Sequence, residues 1–143
     1  MQLRSAFCIT AIFVMASLVL AQEPAKRVER GPAELTSPAS GHDMFMSYCA
    51  PCHGKEAKGN GPAASALKIR PADLTALAQK NGGKYPAMKV TAVLSGQVDL
   101  AAHGNKEMPV WGKVFWRMSG GHEAEVQQRV ANLNRYIESL QGK

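Results

Sequence analysis

The sequence predicts an all-α fold, and three observations support this. From Glu123 to Gln141, apolar residues recur three and four positions apart, as along one face of an α-helix. Several other segments are bracketed by residues that begin and end helices. No segment of useful length alternates apolar and polar residues as a half-buried strand would. We therefore expect one small helical domain over residues 41–143, with a modest core.

The first 21 residues have the pattern of a secretory signal peptide. Arg4 precedes a charge-free apolar run from Ala6 to Leu20, and Ala21 is a small residue before a cleavage point at Gln22. The run is shorter than the roughly 20 residues that a membrane-spanning helix needs. We expect cleavage and export to the periplasm. The alternative is an uncleaved segment that anchors the protein in the membrane.

Residues 22–40 are expected to form a flexible linker or tail. They contain three prolines and several charges, and Leu35 is their largest aliphatic side chain. Such a composition buries too little apolar surface to fold alone.

The first helix of the domain is expected to begin at Ser40 and to end at Gly54. Ser40 can cap its amino end, with Asp43 three residues later. Phe45 and Tyr48 then fall at helical spacing before Cys49.

Three further helices are expected. One runs over residues 73–79, and one lies between Pro86 and Gly96 with an apolar side made by Met88, Val90, Val93 and Leu94. The last helix covers residues 123–141, and acidic residues occupy its positive amino end.

The run Cys49-Ala-Pro-Cys52-His53 is the strongest chemical signal in the chain. Two thiols three residues apart can add to the two vinyl groups of a haem, and the next histidine can bind its iron from one face. Cys8 lies in the signal segment, so Cys49 and Cys52 are the cysteines of the mature chain. The motif predicts a single covalent haem c with His53 as an iron ligand.

Two other interpretations of the cysteine pair remain open from the residues alone. A closed zinc site needs four ligands, and the other histidines are scattered rather than paired. A thioredoxin-like dithiol belongs beside a strand–helix–strand pattern, which does not precede Cys49. Haem attachment is therefore favoured over both.

Met108, followed by Pro109, is the best candidate for the second axial ligand of the iron. It lies far enough from His53 for a loop to pass around the ring, and a thioether stabilises ferrous iron. Met88 and Met118 are rivals, although both are expected to pack in helical or aromatic surroundings. His103, in the same loop as Met108, is the other rival.

With these motifs in place, the domain resembles a class I cytochrome c of the bacterial single-haem type over nearly all of residues 41–143. The haem motif and Met108-Pro109 carry the resemblance, and Gly59-Asn-Gly61-Pro62 and Pro71-Ala-Asp-Leu-Thr75 support it. It implies a small fold of several helices wrapped around the covalently bound haem. It also implies one-electron transfer with both axial positions filled, so that the protein is a carrier and not an enzyme.

The resemblance assigns further roles. The Pro62 carbonyl would accept a hydrogen bond from His53, and Gly41 would allow the first and last helices to cross in close contact at Leu133 and Tyr136. Trp111 would contact the ring or a propionate, whereas Trp116 is better explained as core filling. The apolar wall of the haem pocket would come from Leu67, Leu74, Leu77, Leu94, Trp111, Phe115 and Trp116.

The charge of the chain bears on its partners. The net charge is +6 at pH 7, and the expected lysines around the haem are Lys55, Lys58, Lys68, Lys106 and Lys113. Such a face would attract an acidic redox donor or acceptor in a salt-dependent way. No dense basic run indicates nucleic acid, and we expect a monomer with at most peripheral or anchored membrane association.

Two rival functions are kept. The first is a haem subunit or partner of a larger membrane oxidoreductase, with residues 22–40 as a tether. The second is a ligand-binding or peroxidase-like cytochrome, which requires an open iron position.

Overall fold

The computed structural model describes residues 33–98 and 110–142. Its helices are α1 (Gly41–Met44), α2 (Ala50–His53), α3 (Leu77–Lys80), α4 (Ala87–Ser95), α5 (Trp111–Met118) and α6 (Glu123–Ser139). A π-helical turn, Phe45–Cys49, joins α1 to α2, and a 3₁₀ turn covers Ala64–Ala66. Within these two described ranges no strand occurs, so the all-α prediction is confirmed.

The helical segment that carries the cysteines begins and ends as its sequence predicts. The Asp43 amide donates to the Ser40 hydroxyl (3.1 Å), and Gly54 follows the last residue of α2. The middle of this helical segment differs from expectation. The sequence pattern predicts a continuous α-helix, whereas the structure contains the π turn. A π turn takes one extra residue per turn, so it rotates Cys49 and the residues after it relative to α1.

α1 crosses α6 in close contact, as the resemblance implies. A Cβ atom added to Gly41 would lie 2.8 Å from the Tyr136 Cβ atom, and closer still to the Asn132 carbonyl oxygen. The Phe45 and Tyr136 rings lie 5.3 Å apart between centroids, and Leu133, on the same helix as Tyr136, is fully buried. The absence of a side chain at position 41 therefore sets how near the two helices approach.

α4 and α5 both pack against α6 as well. Leu94 is buried and Val90 half-buried, as predicted, but Met88 is 88% exposed. Asn134 of α6 donates to Ala87 and Thr91, which are one turn apart on α4, whereas Met88 is exposed beside them, so the prediction that Met88 packs inward is wrong. The sequence did not predict α5, and the helix expected over residues 73–79 is displaced to Leu77–Lys80.

Residues 34–38, which we call the N-terminal strap, lie on the domain and are hydrogen-bonded to it. The Tyr48 hydroxyl donates to the Glu34 carbonyl (2.6 Å), and Arg129 donates to the Thr36 carbonyl (2.9 Å). Asn132 donates to the Pro38 carbonyl (2.9 Å). The expectation of a flexible tail through residue 40 therefore fails for this part of it, because the π turn and α6 supply donors for its backbone carbonyls.

A membrane-spanning helix would need length and apolar character together, and no helix within the described residues has both. The expected signal segment, residues 1–21, lies outside those residues.

Candidate haem-binding site

The two cysteines and the histidine lie at the carboxyl end of one helical segment. Cys49 closes the π turn, and Cys52 and His53 are the last two residues of α2. Both cysteines are unpaired thiols, with Cys49 buried and Cys52 half-buried, and His53 is 7% exposed. The segment therefore presents two sulfur atoms and one imidazole from adjoining turns.

The His53 imidazole is oriented by a backbone carbonyl. Its Nδ1 atom lies 2.9 Å from the Ala72 carbonyl oxygen, where Nδ1–H can donate. A histidine that donates from Nδ1 binds a metal through Nε2, and the hydrogen bond fixes both the tautomer and the ring orientation.

The acceptor for His53 is thus Ala72 and not Pro62, which the resemblance implied. The residues on either side of Pro62 form hydrogen bonds with α2 instead. The Gly61 amide donates to the Cys52 carbonyl (3.0 Å), and the Ala63 amide donates to the Pro51 carbonyl (2.9 Å). The segment that contains Ala72 is held near the motif, since the Leu74 amide donates to the Ala57 carbonyl (2.8 Å). No sequence pattern shows which backbone carbonyl accepts a hydrogen bond, so the role of Ala72 was not predicted.

The environment of the thiols keeps them protonated. Burial, followed by the neighbouring Cys52 sulfur, raises the pKa of Cys49 to about 12. Burial also raises the pKa of Cys52. Redox-active dithiols and zinc-binding cysteines work as thiolates and have lowered pKa values. This microenvironment therefore argues against the dithiol interpretation.

The donor set also argues against zinc and fits a covalent haem. Across residues 33–98 and 110–142, no group of three His, Cys, Asp or Glu side chains is placed to hold a metal ion. Haem attachment needs only the two thiols and one imidazole. Apolar side chains on the neighbouring segments remain half-buried and can contribute a wall for the ring: Leu67, Leu74, Leu77 and Val90.

An aromatic cluster adjoins the motif. Tyr48 precedes Cys49, and its ring stacks on Trp111 at 5.2 Å between centroids, with the planes 26° apart. Phe115 lies 5.9 Å from both rings and is fully buried. Of the predicted wall residues, Trp111 and Phe115 are therefore brought next to the haem motif through Tyr48.

Trp116 lies elsewhere. It is 48% exposed, so the prediction that it fills the core is wrong. It lines a cavity of about 690 Å³ between α4, α5 and α6, and no residue of the haem motif lines that cavity. α5 turns Trp111 and Phe115 inward, which leaves Trp116 on the opposite side.

The predicted second ligand is in a part of the chain that the structure does not describe. Met108 and Pro109 fall within residues 99–109, as do His103 and Lys106. The structure therefore leaves the distal ligand as a prediction. Among the rivals, Met88 is exposed on α4 and Met118 is half-buried at the end of α5.

A protein-family model described as cytochrome c oxidase, cbb3-type, subunit III, matches residues 36–117. The match covers more than half of the chain, includes the haem motif and begins inside the N-terminal strap. Neither the curated proteins nor the solved structures compared with the chain gave a significant match.

Proposed function

Because the chain belongs to the cbb3-type cytochrome c oxidase subunit III family, it is a c-type cytochrome that transfers electrons through haem, and we propose that it is a one-electron carrier with a single covalent haem. One observation supports this most strongly. Cys49, Cys52 and His53 share one helix end, and the imidazole is held there by the Ala72 carbonyl. That arrangement suits a haem, and within residues 33–98 and 110–142 no further ligands are grouped with it as a metal ion alone would need.

In the proposed holoprotein, Cys49 and Cys52 would hold the porphyrin by thioether bonds, and His53 would bind its iron through Nε2. When bound, the haem supplies the one-electron exchange between ferrous and ferric iron. The chain fixes the imidazole through Ala72 and limits water near the motif with Tyr48, Trp111 and Phe115. A site that holds the imidazole in place and limits water would need little rearrangement when the iron changes oxidation state, which suits a carrier rather than an enzyme.

We further propose that Met108 is the distal ligand. The ferric protein should then show the near-infrared charge-transfer band of methionine-bound haem, and Met108→Ala should remove the band and lower the reduction potential while the haem stays attached. Met88→Ala is the matched control, because Met88 is 88% exposed on α4 and should leave the band unchanged. Persistence of the band in Met108→Ala would refute this ligand.

His103→Ala and Met118→Leu test the remaining ligand candidates by the same spectrum. The rival with an open iron position predicts no methionine band at all in the wild-type protein. It also predicts rapid carbon monoxide binding by the reduced form, whereas a carrier with both positions filled should bind carbon monoxide slowly.

The proposed partners are redox proteins with an acidic docking surface. Lys55 and Lys58 are exposed directly after the haem motif, and neither forms an ion pair with a described residue. Electron transfer to an acidic partner should slow as ionic strength rises. Exchanging both lysines for glutamate should flatten that dependence, and a dependence identical to that of the wild type would exclude this docking face.

The second candidate function is a haem subunit held in a larger membrane oxidoreductase. The description of the matching family, an oxidase subunit, favours it. Size-exclusion chromatography of a detergent-free extract separates the two, because a free carrier elutes at the size of a monomer. Elution only as part of a large assembly, or only after detergent is added, would favour the subunit.

Export to the periplasm and removal of residues 1–21 complete the proposal. The pattern of Arg4 and the apolar run that follows supports it. Amino-terminal sequencing of the purified protein should begin at Gln22. A chain that begins at Met1 would indicate an uncleaved membrane anchor.

A further inference from the structure

The N-terminal strap is held by a polar network that reaches the residue next to the haem motif. The Tyr48 hydroxyl donates to the Glu34 carbonyl (2.6 Å) and lies 2.7 Å from the Thr36 hydroxyl. Since the single phenolic proton goes to Glu34, Thr36 donates to the Tyr48 oxygen. The tyrosine is thereby fixed by two hydrogen bonds at its outer end.

Arg129 on α6 fixes the strap from the other side. Its guanidinium is nearly fully buried and donates to the Thr36 carbonyl (2.9 Å) and to Glu125 (2.9 Å). It also lies over the Phe115 ring, 5.9 Å from the centroid. A buried arginine with both a carboxylate and a backbone partner holds its position firmly, because removing either partner would leave buried charge or donors unsatisfied.

The inner end of Tyr48 contacts the start of α5. Its ring stacks on Trp111, the first residue of α5, at 5.2 Å. Met108 precedes Trp111 by three residues. The stack thus joins the π turn, which leads directly into the helix that carries His53, to the point where the chain enters α5 after the proposed distal ligand.

We propose that Tyr48 is a positioning residue: held by the strap through Glu34 and Thr36, it fixes Trp111 and so restrains the distal side of the haem. The inference rests on the proposed function in taking the chain before Trp111 as the distal side. Loosening the strap should make distal opening easier without loss of the covalent haem. The N-terminal segment then affects ligand exchange at the iron although it does not belong to the haem motif.

The test is the rate at which cyanide binds to the ferric holoprotein, because cyanide must displace or bypass the distal ligand whichever residue that is. Tyr48→Phe keeps the stacked ring and removes the hydroxyl. We expect cyanide to bind about fivefold faster, the factor that one net hydrogen bond of about 1 kcal/mol represents. The pH at which the near-infrared band is lost should fall in the same variant.

Tyr85→Phe is the matched control. The Tyr85 hydroxyl also makes a 2.6 Å hydrogen bond, to Asn134 Oδ1, but it joins the start of α4 to α6, and among the described residues the Tyr85 ring forms no aromatic pair with Trp111. We expect its cyanide rate to equal that of the wild type. A general loss of stability would instead speed cyanide binding in both variants and would overturn the proposal, as would an unchanged rate in Tyr48→Phe.

Two further variants keep the proposal falsifiable. If Tyr48→Phe does not mature, Thr36→Val removes the strap hydroxyl without altering the helix and should give the same acceleration. In a Trp111→Leu background, the Tyr48→Phe exchange should add nothing, because the contact through which it acts is gone. An additive effect would refute the route through Trp111. A wild-type protein without the methionine band would refute the proposed ligand, while the comparison of the two tyrosine variants would still decide this inference.

Discussion

Gly41→Ala tests the helix crossing on which the domain is built. The added Cβ atom would lie 2.8 Å from the Tyr136 Cβ atom and 2.9 Å from the Asn132 carbonyl carbon. Carbon atoms in ordinary contact are about 3.5–4.0 Å apart, so α1 must move away from α6 by close to 1 Å. Both contacts are with rigid atoms near the backbone of α6, so no flexible side chain can relieve the overlap.

The magnitude follows from two opposing terms. Overpacking of this kind costs about 1–3 kcal/mol, whereas the better helix propensity of alanine returns at most about 1 kcal/mol and less in a first turn. A net loss of about 1–2 kcal/mol corresponds to a Tm lowered by roughly 5–15 °C for a domain of this size. The loss should be visible in the free energy of unfolding of the haem-loaded protein.

Thermal unfolding followed by far-ultraviolet circular dichroism measures this shift. Gln128→Ala is the control, since Gln128 is exposed on α6 and alanine there gains propensity without a clash. Its Tm should remain within a few degrees of that of the wild type. If Gly41→Ala also unfolds at the wild-type temperature, the close approach of α1 to α6 is not what limits this interface.

Three more predictions concern stability. Asn134→Ala removes the side-chain partner of the Tyr85 hydroxyl and two donations into α4, and should lower the free energy of unfolding by about 2–3 kcal/mol in urea titration. Trp116→Ser should change it by less than about 1 kcal/mol, because that ring is 48% exposed, and a larger loss would mean that it is covered in solution. The side-chain hydrogen bond from Thr75 lowers the pKa of Asp73, so its stabilisation is present above the unfolded pKa of about 3.9 and lost as pH falls through the lower folded value. The Tm of Asp73→Asn should therefore fall less than that of the wild type between about pH 5 and about pH 3. A fall equal to that of the wild type would exclude this carboxylate as a source of acid sensitivity.

The sequence predicted those features that depend on local chemistry. Ser40, Gly54 and Gly96 mark helix ends through capping or a left-handed residue, and all three do so in the structure. The final helix was predicted because its apolar spacing extends over many turns. The cysteine–histidine motif could be found because its residues are close together in the chain.

What the sequence missed depends on contacts that leave no pattern. The strap is held through three backbone carbonyls, and every residue has a carbonyl. Only the donors reveal the strap, and they lie far away in the chain: Tyr48, Arg129 and Asn132. The same holds for Ala72 as the acceptor from His53. α5 lacks a capping side chain at its start, although the spacing of Trp111 and Phe115 could have indicated it.

Met88 illustrates a different limit of prediction from sequence. An apolar residue in a helix is usually placed on the buried face, and the sequence of α4 offers several such residues in a short span. Only the packing against α6 shows that Val90 and Leu94 face inward and that Met88 does not. Which side of a short helix is buried is decided by its neighbours and not by its own composition.

The mass of the purified, denatured protein tests the central claim most directly. A covalent haem on Cys49 and Cys52 predicts the mass of a chain beginning at Gln22 plus one haem, retained after acid extraction of non-covalent porphyrin. The double variant Cys49→Ser, Cys52→Ser should give the chain alone. A wild-type mass without porphyrin, or with more than one, would contradict the account.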